Sequence, residues 1–256
     1  EQRQNKGETV AMAAGRNKWI QKWGISGTVL WVLAMIFLSM DHFGAAYLEI
    51  GVLGGMTEEG LDIYSPYMQT DLVLRIFGAI AFPLMAFLLV EGFRKTEDFK
   101  DYVLKLLTVA VVAEIPFDLA FYRTPIYLWH QNVFFTFLLG AFVLAGLKRY
   151  GKNMAMKIVV LLLGCGAAFL LRGDHGVQGM IVIAAMYLLW EKPLLQFVFC
   201  AVVLVQNPLG VLGILAFLPI RLYDGSNYAK LQNVFYIFYP THILLLYLIR
   251  IAVFKS

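Results

Sequence analysis

Asp41 and His42 stand side by side after a long apolar run, residues 25–40, in a chain with four histidines. A carboxylate beside an imidazole is elementary acid–base equipment. The imidazole, with an ordinary pKa of about 6.5, can take a proton near neutrality, and a carboxylate can orient the ring and stabilise its charge. Glu114 and Asp118 are four residues apart, so on a helix they share one face. Arg75, His130-Gln131-Asn132, Asp174-His175 and His242 complete the polar groups set into or beside apolar sequence. A charge left unpaired in lipid costs several kcal/mol, so such residues are functional candidates by default.

Each has a plainer reading. The Asp41-His42 pair suits a solvated helix end at the membrane interface. Arg75 suits snorkelling to headgroups, and Asn132 suits capping the helix that follows. Gly173-Asp174-His175-Gly176 suits a tight turn. His242 suits bonding a carbonyl freed by Pro240, and the aromatic stretch 235–239, with Tyr239, suits packing. Two acids one turn apart in an apolar helix are harder to explain this way, because they need a partner or must stay protonated.

The elements that must position these groups are membrane helices. The 256 residues are 60% hydrophobic and 15% charged, with a mean hydropathy of +0.71. That composition predicts an all-α, polytopic transmembrane bundle. Crossing the hydrocarbon core takes roughly 20 apolar residues. We read about nine spans (eight to ten), at 25–40, 72–93, 102–122, 132–147, 154–171, 177–190, 194–205, 209–220 and 233–254. The first would begin nearer Trp19. The seventh and eighth are short, flank Gln206-Asn207-Pro208, and also suit a re-entrant hairpin. A basic segment, 1–22, without signal-peptide features, precedes a single membrane domain, 23–256. Cys165 and Cys200 lie in apolar runs and suggest neither disulfide nor metal.

Charge sets the expected orientation. With nine spans, 16 of the 21 Lys and Arg residues fall on one side; Arg75, Arg123, Arg172, Arg250 and Lys255 fall on the other. The positive-inside rule makes the richer side, and the N-terminus, cytoplasmic. The net charge of +4 then reflects topology and does not call for nucleic acid. It also places most of the polar groups at one leaflet, facing one another across a wet cavity. The motifs of serine hydrolases, zincins and P-loop ATPases are absent, and His42, His130 and His175 lack the spacing of a zinc site.

Five segments in order resemble the TraX family. They are Met40-Asp41-His42-Phe43-Gly44; Ile80-Ala81-Phe82-Pro83 with 87–93; Glu114-Ile115-Pro116-Phe117-Asp118; 130–136; and Phe238-Tyr239-Pro240-Thr241-His242. TraX proteins are multi-span proteins named for N-terminal acetylation of conjugative pilin. They are similar to membrane acyltransferases such as heparan-α-glucosaminide N-acetyltransferase. The resemblance implies a bacterial inner (cytoplasmic) membrane enzyme that takes an acyl group, most simply acetyl, from cytoplasmic acyl-CoA without a metal. The acceptor would be an amine or hydroxyl across the membrane, on a pilin N-terminus, another peptide or a glycan. The oligomeric state stays open.

On this reading His42 is the base, Asp118 or Asp41 orients it, and Asn132, Arg75 or His130 supplies an oxyanion donor. Glu114, Gln131, Asp174, His175, Tyr239 and His242 would line the substrate path. Arg94, Lys95, Lys148 or Arg149 would meet the CoA phosphates. Direct transfer and an acyl-histidine route both remain open. One position departs from the family pattern: Ala79 stands where arginine is expected, one turn from Arg75, where it would have paired with Asp118 or held an anion. A natural variant, an engineered inactive form and a drifted chemistry would all account for Ala79, and the enzyme would be impaired in the second case at least. Two other classes stay open, a proton-coupled transporter using Glu114, Asp118 and His242 as a relay, and a non-catalytic assembly factor of a conjugation or secretion system.

Overall fold

The computed structural model describes residues 24–56, 65–226 and 229–254. The basic segment 1–22, and the acids Glu58, Glu59 and Asp62 of the expected first loop, lie outside the described residues. Among those described, the chain is helical without a strand. The helices are α1 (Gly27–His42), α2 (Pro66–Gly78), α3 (Ala81–Lys95), α4 (Phe99–Tyr122), α5 (Val133–Arg149), α6 (Met154–Leu171), α7 (Gly176–Leu188), α8 (Pro193–Leu204), α9 (Phe217–Arg221) and α10 (Ala229–Phe254). Among the described residues, four helical stretches are long and apolar enough to cross a membrane: Gly27–Gly55, Pro66–Lys95, Met154–Leu171 and Gln232–Phe254.

The first stretch corrects the expected end at Met40. After His42 the helix widens into a π-helical run, Phe43–Val52, and closes with a 3₁₀ turn, Leu53–Gly55. The residues that follow the dyad, Phe-Gly-Ala-Ala-Tyr-Leu, are as apolar as those before it, so nothing local stops the helix. Asp41 and His42 therefore sit inside the bundle and not at a helix mouth. Their polarity is met by side chains of other helices, which is why it does not end the helix. Single π-bulges often occur at functional sites, and ten residues of π-helix are unusual.

The second stretch is broken where α2 gives way to α3. Pro83 has no N–H for the Ala79 carbonyl, and its ring crowds that oxygen, so the helix is interrupted at Ala79–Ile80. Next to the break, α1 and α2 make a very close approach. A Cβ on Gly78 would lie 2.4 Å from the Asp41 Cβ and 2.7 Å from its Cα. Glycine is required at this crossing, which sets Arg75 one turn away opposite Asp41. Small residues serve the same purpose between α5 and α6, where a Cβ on Gly164 would lie 2.2 Å from Val143. Close backbone contact, not hydrophobic exclusion, holds helices together in lipid.

α3 is the buried axis of the bundle. Every residue from Ala81 to Glu91 is buried, with α1, α5 and α7 packed around it. α4 and α10 run along one another. The four last carbonyls of a helix have no intrahelical donors, and Arg250 of α10, 1% exposed, donates to those of Leu119 and Ala120 at the end of α4. α6 turns Leu162, Leu163, Phe169 and Leu170 outward, as suits a helix facing lipid.

α8, a 3₁₀ run over Pro208–Ala216 and α9 form a hairpin of short segments. Twelve residues of α8 reach about 18 Å, short of the hydrocarbon thickness of about 30 Å. Both ends of the hairpin lie beside α3's C-terminus, where Arg94 pairs with Glu191 at 3.7 Å and Lys95 bonds the Gly225 carbonyl at 2.9 Å. The other end is tied by Gln178, which donates to the Val203 carbonyl at 2.6 Å. Pro193–Leu204 and Pro208–Arg221 are thus short apolar segments that pack against one another.

Candidate functional site

A polar cavity of about 210 Å³ lies inside this apolar bundle. α1 supplies Asp41 and His42, α2 supplies Arg75, and Ala79 lies at the break. The turn before α7 supplies Asp174 and His175, α7 supplies Gln178, and the hairpin tip supplies Asn207.

Arg75 organises the acids. Its Nη1 donates to Asp41 Oδ1 at 2.7 Å, and its Nε lies 3.0 Å from Glu49 Oε1 on the π-helical run. One guanidinium thus faces Asp41 and Glu49, with Asp71 and Asp174 also near enough to act on it. Among the described residues its Nη2 carries no protein hydrogen bond, which leaves a donor for the cavity.

His42 is 4% exposed. Its Nδ1 lies 2.8 Å from Nε2 of His242, and His242 Nδ1 lies 2.9 Å from the Phe238 carbonyl one turn earlier in α10. The two imidazole planes are within 3° of parallel. Phe121 and Tyr239 meet the His42 ring edge-on at 5.3 and 5.9 Å. The ring is held by His242 and aromatic walls, in place of the expected Asp118 or Asp41. Asp41 is turned to Arg75, and Asp118 accepts from the Tyr127 backbone N–H at 2.7 Å.

Asn132 is also corrected. It is fully buried, and its two amide hydrogens go to the Ala110 carbonyl, at 2.8 Å, and to Glu114 Oε2. Its Oδ1 caps α5 by accepting from Phe134 N at 3.0 Å. With both hydrogens and the oxygen engaged, it cannot donate to an oxyanion without breaking the α4–α5 brace. Glu114 is its partner in that brace. His130 stacks near Phe117 at 6.0 Å, away from the cavity walls.

Gln131 acts through its backbone. Its N–H bonds the Arg172 carbonyl and its carbonyl accepts from Asp174 N at 2.8 Å, while Thr136 Oγ1 donates to the Asp174 carbonyl. These bonds fix the turn in which His175 takes a left-handed φ of 63°, a conformation costly for a residue with a Cβ. Its ring stacks on Phe82 at 3.8 Å. Burial lowers the His175 pKa from its ordinary value, with Asp174 pulling the other way.

Arg94, Lys95 and Arg149, the cations expected to meet CoA phosphates, lie at the opposite end of the bundle, and Lys95 is engaged. Its ammonium meets Glu91 at 2.6 Å, Tyr223 Oη at 3.2 Å and the Gly225 carbonyl. Tyr223 in turn donates to Glu91 at 2.6 Å, and burial together with that carboxylate pushes its phenol well up. This clasp around the buried Glu91 was missed in the sequence, although Glu91 in an apolar run was its signal. Arg94 lies over the Trp190 ring at 4.6 Å. Arg149 is exposed. A small pocket of about 10 Å³, room for about one water, is lined by Trp31, Leu88, Tyr102, Phe134 and Tyr236. Met85 borders both this pocket and the polar cavity. Among the described residues, no group of three or more His, Cys, Asp and Glu side chains is arranged to hold a metal ion.

A bundle of apolar helices enclosing a paired histidine, an arginine and several carboxylates defines a membrane protein with a buried polar site. The chain matches the model of the family described as "TraX protein" over residues 26–250, and it belongs to that family. It is also similar to a "Probable fimbrial assembly protein FimC, serogroup H1" of Dichelobacter nodosus, at 29% identity over 84% of this chain and 91% of that protein. No solved structure matches it.

Proposed function

We propose that this protein is a membrane acyltransferase that moves an acyl group, most simply acetyl, from acyl-CoA to an amine or hydroxyl at the far side of the membrane. The observation that carries this reading is His42 on the wall of a polar cavity, beside Arg75, within an otherwise apolar bundle. In the reaction His42 takes a proton from the acceptor. The freed lone pair attacks the thioester carbonyl, and the oxyanion forms toward Arg75. Collapse of the tetrahedral intermediate breaks the carbon–sulfur bond, and the departing thiolate takes the proton back from His42. The CoA phosphates would contact Arg149 and Lys148, since Lys95 is occupied. The pantetheine arm would need the apolar side chains around Met85 to part before it reached His42. The bundle would lie in the bacterial inner membrane with its basic end cytoplasmic.

A second reading is favoured by the fimbrial relative, which is named as a probable assembly protein. In that case the chain supports pilus or fimbrial assembly without chemistry. The experiment that separates the two is transfer of label from radiolabelled acetyl-CoA by the purified protein in detergent, to added peptide amines and hydroxyl acceptors. Label transfer that depends on His42 supports the enzyme; no label incorporation above a heat-treated control supports the assembly factor.

A further inference from the structure

We infer that His242 is the positioning residue that fixes His42 in the tautomer with a free Nε2 lone pair, an inference that rests on the acyltransferase reading. A carbonyl oxygen only accepts, so His242 Nδ1, 2.9 Å from the Phe238 carbonyl, must carry the hydrogen. In a neutral imidazole the other nitrogen is then an acceptor. His242 Nε2 therefore accepts, and His42 Nδ1, 2.8 Å away, donates to it. By the same rule His42 Nε2 carries no hydrogen. That nitrogen is left for the cavity, on whose wall His42 stands.

The chain of bonds begins at a backbone carbonyl inside a helix, which cannot change its role. It stays fixed as long as α10 stays helical around Pro240. Free histidine favours the opposite tautomer, with the hydrogen on Nε2, which would present a donor to the cavity. The pair thus spends structure to hold a base where a donor would otherwise stand. When His42 gains a proton, its Nδ1–H still has the His242 lone pair to bond, so positive charge is spread over a second ring without moving any group. Phe121 and Tyr239 hold the His42 ring in that plane.

The test is nitrogen NMR of protein carrying ¹⁵N-labelled histidine, with His42 assigned by its loss in His42→Gln. The wild type should show His42 with a protonated Nδ1 and an unprotonated Nε2. His242→Gln can donate to the Phe238 carbonyl and accept from His42, so it should keep that pattern and retain transfer within about threefold. His242→Phe should return His42 to the Nε2–H form and lower transfer by about 10–100-fold. A wild-type His42 protonated at Nε2, or a tautomer altered in His242→Gln, would overturn the inference even if His242→Phe failed to fold. The two readings fail differently: absence of transfer with the tautomer in place removes the enzyme, while intact transfer with the wrong tautomer removes only the role of His242.

Discussion

His42 and His242 stand 200 residues apart in the chain and share a 2.8 Å hydrogen bond in the middle of the bundle. That bond joins α1 to α10, the first and last helices described, and His42 stands on the wall of the polar cavity with Arg75. The remaining site is assembled by two other contacts: the Gly78–Asp41 crossing and the backbone ties between 131 and 174. Each can be disturbed separately.

Gly78→Ala should separate α1 from α2, because its methyl group has no room against Asp41. Overpacking of this kind costs about 1–3 kcal/mol. The same shift draws Asp41 away from Arg75, so the expected result is a lower midpoint of thermal unfolding in detergent together with a loss of any transfer. An unchanged midpoint would contradict the close crossing.

Arg75→Met should leave Asp41 and Glu49 without their guanidinium and remove the donor facing the cavity. Loss of one oxyanion donor costs about 10²–10³-fold in turnover, and Arg75→Lys, which keeps the charge but not the fork, should recover part of it. Turnover measured at saturating acetyl-CoA separates the two variants. Equal rates for Met and wild type would remove Arg75 from the reaction.

Asn132→Ala should act on stability and leave the chemistry alone. It removes a helix cap, worth about 1 kcal/mol, and leaves Glu114 without its amide partner, worth about 1–3 kcal/mol more. The unfolding midpoint should fall by roughly 5 °C or more, while the rate per folded molecule stays within a few-fold. A large fall in rate with an unchanged midpoint would restore Asn132 as a catalytic donor.

Ala79→Arg should be accommodated, because position 79 faces the cavity alongside Asp41 and Asp174. Asp118, the partner expected for an arginine there, is not on that wall. A second cation near the reacting carbonyl should raise transfer several-fold, read as initial rate with labelled acetyl-CoA. A rate equal to or below wild type would show that Ala79 does not limit the chain.

The helical class and the run of apolar segments were legible because composition and hydropathy register directly in sequence. The polar residues that matter were legible for the same reason, since charge in an apolar run stands out. Their pairing was not. His42 bonds His242 and not an acid because register and crossing angles decide which face meets which, and neither is written in local sequence. The extent of the first helix was missed because Asp41-His42 looks like a terminus until Arg75 and His242 are seen to satisfy it. Asn132 could be placed as a cap from its position before 133, yet its two further bonds depend on α4. Lys95 reads in sequence as one of several cations at that end, and only the fold brings Tyr223 to it.

The central claim is that the chain catalyses acyl transfer with His42 as the base. The most direct measurement is the rate at which purified protein moves labelled acetyl from acetyl-CoA to an acceptor, compared between wild type and His42→Ala, with donor binding followed in parallel. The expected result is measurable transfer by the wild type, a fall of about 10²–10⁴-fold in His42→Ala, and donor binding retained in both. Equal transfer by the two proteins, or none by a folded wild type that binds no donor, would contradict it.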